Sequence, residues 1–166
     1  MPLFKDVPIQ RVIINNLHLF LRVADNLINL LITELWRLDG IERCTALDRS
    51  LACHVTEYEC FMQNTYKIPF KFYICQDSRS LKWRDLTGPE KYKLFKKIEL
   101  PNLFPNLPRV SIIQQVWKQF MVLNESIHSE ALTEAEISKF ATDVTSWLQL
   151  FLQVYHTKHV TPCMLS

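Results

Sequence analysis

Leu17-His-Leu-Phe-Leu-Arg-Val-Ala-Asp-Asn-Leu-Ile-Asn-Leu-Leu-Ile-Thr-Glu-Leu-Trp-Arg-Leu38 decides the fold. Within it Leu17, Phe20, Leu21, Ala24, Leu27, Ile28, Leu31 and Leu35 recur at three- and four-residue spacing, the period that lines apolar side chains along one face of an α-helix. Asn15 or Asn16 can cap its start, because a short amide side chain accepts from the free N–H groups of a first turn. Gly40 is placed to stop it. The spacing therefore predicts a helix over 16–39. Arg22, Asp25, Asn26, Asn29 and Glu34 interrupt the run, whereas a bilayer span needs about 20 mostly apolar residues. This is a buried amphipathic helix and not a span, and no membrane partner is expected.

Upstream, Pro2 and Pro8 keep the chain extended, and Gln10-Arg-Val-Ile-Ile14 has the β-branched content of a strand. A strand over 8–15 thus leads into the helix. Downstream, Leu51, Val55, Tyr58, Phe61 and Met62 predict a helix over 47–66, ended by Pro69. Phe70-Lys-Phe-Tyr-Ile-Cys75 and the alternating Leu81-Lys-Trp-Arg-Asp-Leu86 permit a small hairpin across 70–86. Thr87-Gly-Pro-Glu90 reads as a helix start, with Thr87 or Gly88 as cap, Pro89 in the first turn and Glu90 at the positive end, giving a helix over 88–98. Pro101, Pro105 and Pro108 make 100–109 a stiff extended connector that packs through Leu103, Phe104 and Leu107. Ile113, Val116, Trp117, Phe120, Met121 and Asn124 mark a helix over 110–128. Thr133-Glu-Ala-Glu136 is a capping box, and the stripe Ile137, Phe140, Ala141, Val144, Trp147, Leu148, Phe151, Val154 and Tyr155 carries a last helix over 134–157. Lys158 to Ser166 has no period.

The expected fold class is mainly α with a few short strands, as a single mostly helical domain or domain fragment over 1–166. With 166 residues, 48% of them hydrophobic and 22% charged, the chain can bury a core and has no composition of disorder. Its two glycines, Gly40 and Gly88, exclude a G-x-G-x-x-G turn or a P-loop, which need several to let backbone approach phosphate. A formal charge of +2 neither demands nor excludes a polyanion. Five cysteines at irregular spacing (44, 53, 60, 75 and 163), with no charged-then-apolar leader before them, point to a reducing, intracellular location, nuclear or cytoplasmic.

Four groups of residues bear on chemistry. Cys44, Cys53, Cys60 and Cys75 are expected to be small buried hydrophobes rather than nucleophiles, and no local nucleophile motif such as G-x-S-x-G is present. His156-x-x-His159-x-x-x-Cys163 offers zinc-type ligands but only three of them, so they are expected to be exposed residues near a helix end, and no metal or cofactor is expected. His18 is expected to be a hydrogen-bonded core histidine. Lys82, Arg84, Lys91, Lys93, Lys96 and Lys97, with Trp83 and Tyr92 among them, form the one basic and aromatic concentration. That concentration is the candidate nucleic-acid contact, against the reading that it is a solvated helical face diluted by Asp85, Glu90 and Glu99.

Taken together, N-N-L-H-L-F-L-R-V-A-D-N-L-I-N-L-L from residue 15, I-P-F-K-F-Y-I-C from 68, L-K-W-R-D-L-T-G-P-E-K from 81 and L-F-P-N-L-P from 103 resemble an uncharacterised, multi-copy animal protein family that looks transposon-derived. The resemblance spans about Pro2 to Pro162. The first motif in those relatives is D-x-L-H, similar to the strand-then-helix element that carries the second acidic residue of RNase-H-like transposases. It implies that Asn15 stands where a catalytic aspartate would, and that the helices from Leu47 to Thr157 correspond to the helical insertion preceding a final glutamate. Two-metal phosphoryl transfer needs several carboxylates to hold its ions, which a neutral amide cannot replace. The expectation is a truncated transposase-like chain with no intact catalytic residue and not an enzyme, retaining a DNA or protein contact. The alternative is a helical protein–protein interaction module.

Overall fold

The computed structural model of the chain describes residues 16–40, 53–74, 81–127 and 133–155. Within these, the chain runs α1 (Asn16–Leu38), α2 (Cys53–Asn64), β1 (Phe72–Ile74), β2 (Leu81–Trp83), α3 (Gly88–Lys97), α4 (Leu100–Leu103), α5 (Val110–Ile127) and α6 (Glu134–Val154). The two strands form an antiparallel pair in which Phe72 faces Trp83 and Tyr73 faces Lys82. The protein is mainly helical, as its periodicity predicts. The expected strand over 8–15, with Asn15 at its end, lies outside the described residues, as do 47–52 of the second predicted helix.

α5 packs against α1, α3, α4 and α6; α1 packs against α2, α3 and α5. Its burial is wider than the single stripe predicted: Val23, Leu30, Ile32 and Trp36 are buried with Phe20, Ala24, Leu27, Ile28, Leu31 and Leu35, because neighbours cover it from more than one side. Leu17, by contrast, is 58% exposed. Aromatic rings join the layers. Phe20 of α1 stacks on Phe120 of α5 with centroids 5.7 Å apart, and Phe95 of α3 stacks on Trp117 at 4.2 Å, offset geometries that add to the burial of so much ring surface. α6 lies along α5, pinned by Trp147, whose Nε1 donates to the Val116 carbonyl at 2.9 Å.

Helix ends are satisfied largely by side chains from elsewhere in the chain, which matters because each end leaves four backbone groups unpaired. Gly40 takes the left-handed conformation (φ +73°) just past α1, the role expected of it. Asp39, beside it, accepts from the His54 amide at 3.1 Å and the Val55 amide at 3.5 Å at the start of α2, so one turn closes α1 and caps α2. Tyr66 donates to the carbonyl of Lys97 at the end of α3. Arg109 donates to the carbonyls of Gln153 and Val154 at the end of α6, where a cation also suits the helix dipole. The capping box of α6 forms as predicted: the Thr133 hydroxyl accepts from the Glu136 amide and Glu136 accepts from the Thr133 amide.

Several expectations are corrected. Residues 100–103 are helical, not extended, because Pro101 sits in the first turn of α4, where its missing N–H is not needed; Leu100, Phe104 and Leu107 of the connector are nevertheless buried. α2 ends at Asn64, well before Pro69. Lys67 adopts a left-handed φ of 53° and turns the chain so that the Ile68 amide reaches the Met62 carbonyl at 3.0 Å. α6 ends at Val154 rather than 157, since Tyr155 is already extended (φ −116°, ψ 144°). Of the predicted α6 stripe Trp147, Phe151 and, just past the helix end, Tyr155 are buried, Phe140, Val144, Leu148 and Val154 are partly buried, and Ile137 is exposed.

Candidate nucleic-acid interface

Leu81 to Lys91 runs through β2 and a short loop into α3. Strand alternation and the register decide which way its side chains face. Phe72 is buried opposite the half-buried Trp83, so Tyr73 and Lys82, one step on, face outward, with Tyr73 48% exposed. The Arg84 amide donates to the Lys71 carbonyl at 3.0 Å, which continues the ladder and sets Lys71 opposite Arg84 on that same outward face. Like charges directly opposite one another destabilise a strand pair. Arg84 is relieved by Glu90, its guanidinium donating to both carboxylate oxygens at 3.2–3.3 Å. Glu90 also accepts from the Thr87 amide and hydroxyl at 2.8 and 2.9 Å. Burial pulls the Glu90 carboxyl upward, but the Thr87 amide, the Arg84 guanidinium and the Thr87 hydroxyl outweigh it and hold the group below its ordinary value.

The six basic residues expected to form one surface divide. Lys91 points inward: it is 4% exposed, and its ammonium pairs with Asp25 of α1 at 2.6 Å. It is an internal tie between α3 and α1, not a surface contact, because α3 buries the face of Lys91, Leu94 and Phe95. Arg84 has its guanidinium occupied by Glu90. Lys93, Lys96 and Lys97 lie on the outer side of α3; Lys96 stands 5.5 Å from the Tyr92 ring centroid, within cation–π range, and the Tyr92 hydroxyl donates to Glu125. Lys82 is exposed beside Tyr73.

Sequence reasoning missed Lys67 and Lys71. Both line an open depression of about 670 Å³ together with Gln63, Ile68, Pro69, Phe70 and Arg84. Its wall is apolar, its rim cationic. No carboxylate of the described residues pairs with Lys67, Lys71 or Lys82; the nearby Glu59 accepts from the Phe72 amide. The signal for Lys71 was present in its two-residue spacing from Tyr73, but the register that sets it against Arg84 is a tertiary fact.

Other predicted residues fall as follows. Cys53 and Cys60 are exposed rather than buried, since α2 turns only Val55, Tyr58 and Met62 inward. Cys44, Cys75, His156, His159 and Cys163 lie outside the described residues. His18 is exposed on the first turn of α1, not a core histidine. Among the described residues the carboxylate–imidazole pair is Asp39 with His54 Nδ1, which ties the end of α1 to the start of α2. Among the described residues no three His, Cys, Asp or Glu side chains converge as around a metal ion, and no helix is long and apolar enough to cross a membrane.

The fold and this surface define a mainly helical domain with a cationic hairpin. No protein-family model, no curated protein and no solved structure matches the chain.

Proposed function

We propose that the chain is a catalytically inactive, transposase-like protein that acts by binding, with a polyanion such as DNA as the partner of its basic surface. The observation that carries this reading is two sets of cations with no carboxylate partner among the described residues: Lys67, Lys71 and Lys82 around the hairpin, and Lys93, Lys96 and Lys97 on the outer side of α3. Cations held beside an exposed aromatic and a shallow depression suit phosphates. Inactivity follows from the amide at Asn15, the position that the resemblance assigns to a catalytic aspartate. The RNase-H-like ancestry of the helical part belongs to this same proposal.

Binding of duplex and single-stranded oligonucleotides, followed by fluorescence anisotropy at about 50 and about 200 mM salt, tests it. Affinity is expected to fall steeply with salt and to weaken in a Lys93→Gln/Lys96→Gln/Lys97→Gln variant. Salt-insensitive binding, or no binding of either form, refutes the reading. Manganese-dependent cleavage of DNA by the purified chain would overturn the inactivity.

A second reading rests on a separate observation. Along α6, Ile137 is 53% and Leu152 43% exposed. With Ala141 and Leu148 they fall within about 60° of one another around the helix, at 100° per residue. Such an edge fits a helical interaction module whose partner is a second copy of the chain. Sedimentation velocity over a hundredfold concentration range tests it; a monomer throughout removes it.

A further inference from the structure

Resting on the polyanion reading above, we infer that the outward face of the β1–β2 hairpin, together with the adjoining depression, is a platform for single-stranded nucleic acid rather than for duplex. Three observations converge. First, the face presents Lys71 and Tyr73 on one strand and Arg84 and Lys82 directly opposite them on the other, so an exposed aromatic is framed by cations. Tyr73 makes no ring contact with another aromatic of the described residues, and its ring is available to a base; stacking of this kind tolerates any sequence because every base has a π-face. Second, an open depression beside it has the exposed Pro69 and the cations Lys67, Lys71 and Arg84 around it, with Ile68 and Phe70 buried beneath. Cations grouped beside an exposed ring suit the phosphates of a strand whose unstacked base lies on Tyr73. A duplex offers no such base, since its π-faces are hidden in the stack. Third, Lys71 and Tyr73 are two residues apart, roughly 7 Å along the strand, close enough for one phosphate and the adjacent base to be held at once.

The charge balance favours the same ligand. Glu90 neutralises Arg84 and Glu59 is held on the Phe72 amide, which leaves Lys67, Lys71 and Lys82 to release counterions. Three phosphates neutralised on a single strand correspond to a log–log salt slope of about −2.

The test uses the whole chain and four labelled or competing probes: a twelve-nucleotide thymidine strand, the matching uridine strand, a twelve-base-pair duplex, and poly-glutamate. Tyr73→Thr preserves strand preference and removes the ring, Tyr73→Phe preserves the ring, and Lys71→Gln removes one charge; circular dichroism verifies that each folds. The expected result is tighter binding of either single strand than of the duplex, an approximately tenfold loss with Tyr73→Thr on single strands only, and retention with Tyr73→Phe. Comparable losses for both strand types assign recognition to base and phosphate, whereas loss of only the uridine complex assigns it to the ribose as well. Duplex bound as tightly as single strand, with Tyr73→Thr silent, overturns the platform while leaving the polyanion reading standing. Poly-glutamate competing at equal charge overturns it too, as bulk electrostatics. Absence of salt-dependent binding to any oligonucleotide defeats both readings together.

Discussion

Replacing Gln114 with leucine strips two hydrogen bonds from a dry interface between α3, α4 and α5. Gln114 is 5% exposed; its Oε1 accepts from the Leu100 amide at 2.7 Å and its Nε2 donates to the Ile98 carbonyl at 3.0 Å. Ile98 and Leu100 are themselves 1% and 0% exposed, so neither backbone group can turn to water. Each buried group left unpaired costs about 1–3 kcal/mol, so Gln114→Leu is expected to lose about 2–6 kcal/mol, a large share of the 5–15 typical of a domain. Urea denaturation followed by far-UV circular dichroism measures it as a lower midpoint at unchanged m-value. Gln114→Glu refines the test: a carboxylate still accepts from Leu100 but cannot donate to Ile98, whereas a protonated carboxyl does both. That variant is expected to be destabilised at neutral pH and to recover relative to wild type on acidification, the sign of a raised folded-state pKa. A Gln114→Leu midpoint equivalent to within 0.5 kcal/mol of wild type (an allowance on the order of measurement scatter) would falsify the bridging role.

The internal tie between α3 and α1 is separable from the binding surface. Asp25→Asn leaves the buried Lys91 ammonium without its carboxylate and is expected to destabilise by at least about 1 kcal/mol, below the roughly 3–5 kcal/mol of a fully enclosed pair because Asp25 is 43% exposed; Lys91→Met removes the need for a partner and is expected to be near neutral, with oligonucleotide affinity unchanged in either variant when folded. Tyr58 is fully buried and its hydroxyl has no hydrogen-bond partner among the described residues; burial, and secondarily Tyr66, push that hydroxyl well above its ordinary value. Tyr58→Phe is therefore expected to leave stability unchanged or raise it by about 1 kcal/mol, and a clear loss in thermal melts contradicts that account. On acidification, Glu90 and Glu136, both held below their ordinary value of 4.5, contribute stability that is present above that value and lost as pH falls through the lower, folded-state one. A helical pH titration below about 4.5 is expected to flatten in Glu90→Gln and Glu136→Gln, and an unaltered profile contradicts it.

The long helices were legible because their signals are local. Repeats of three and four residues and the Thr133–Glu136 box act within a turn or two, and α1, α5 and α6 begin within a residue of where the pattern puts them. The connector was not legible, because the same proline that stiffens an extended chain also fits the first turn of a helix, and the choice at Pro101 is made by Gln114, fourteen residues from Leu100 in sequence. Nor was the orientation of Lys91: six basic residues between 82 and 97 look alike in composition, but α3 can bury only one face, and an aspartate on α1 makes that face acceptable to a lysine. The cysteines misled for a complementary reason. Cys53 and Cys60 belong to a helix that turns Val55, Tyr58 and Met62 inward, and its opposite sides take whatever remains.

Leu81-Lys-Trp-Arg-Asp-Leu-Thr-Gly-Pro-Glu-Lys91 is the string on which the proposed transposase-like kinship chiefly leans, and most of its side chains now have architectural causes. Leu86 is buried, Trp83 packs near Phe70 with centroids 6.4 Å apart, Arg84 and Thr87 converge on Glu90, Pro89 fits the first turn of α3, and Lys91 reaches Asp25. A string held together this way transmits a fold, the join of hairpin to helix, and not a chemistry. The proposed contact with a polyanion then rests mainly on residues that flank it: Lys67, Lys71 and Tyr73 before it, Lys93, Lys96 and Lys97 after it, with Lys82 as the exposed cation within. Two chains sharing the string are therefore expected to share the helical scaffold, and to share the partner only where those flanking positions keep both their charge and, at Tyr73, the ring.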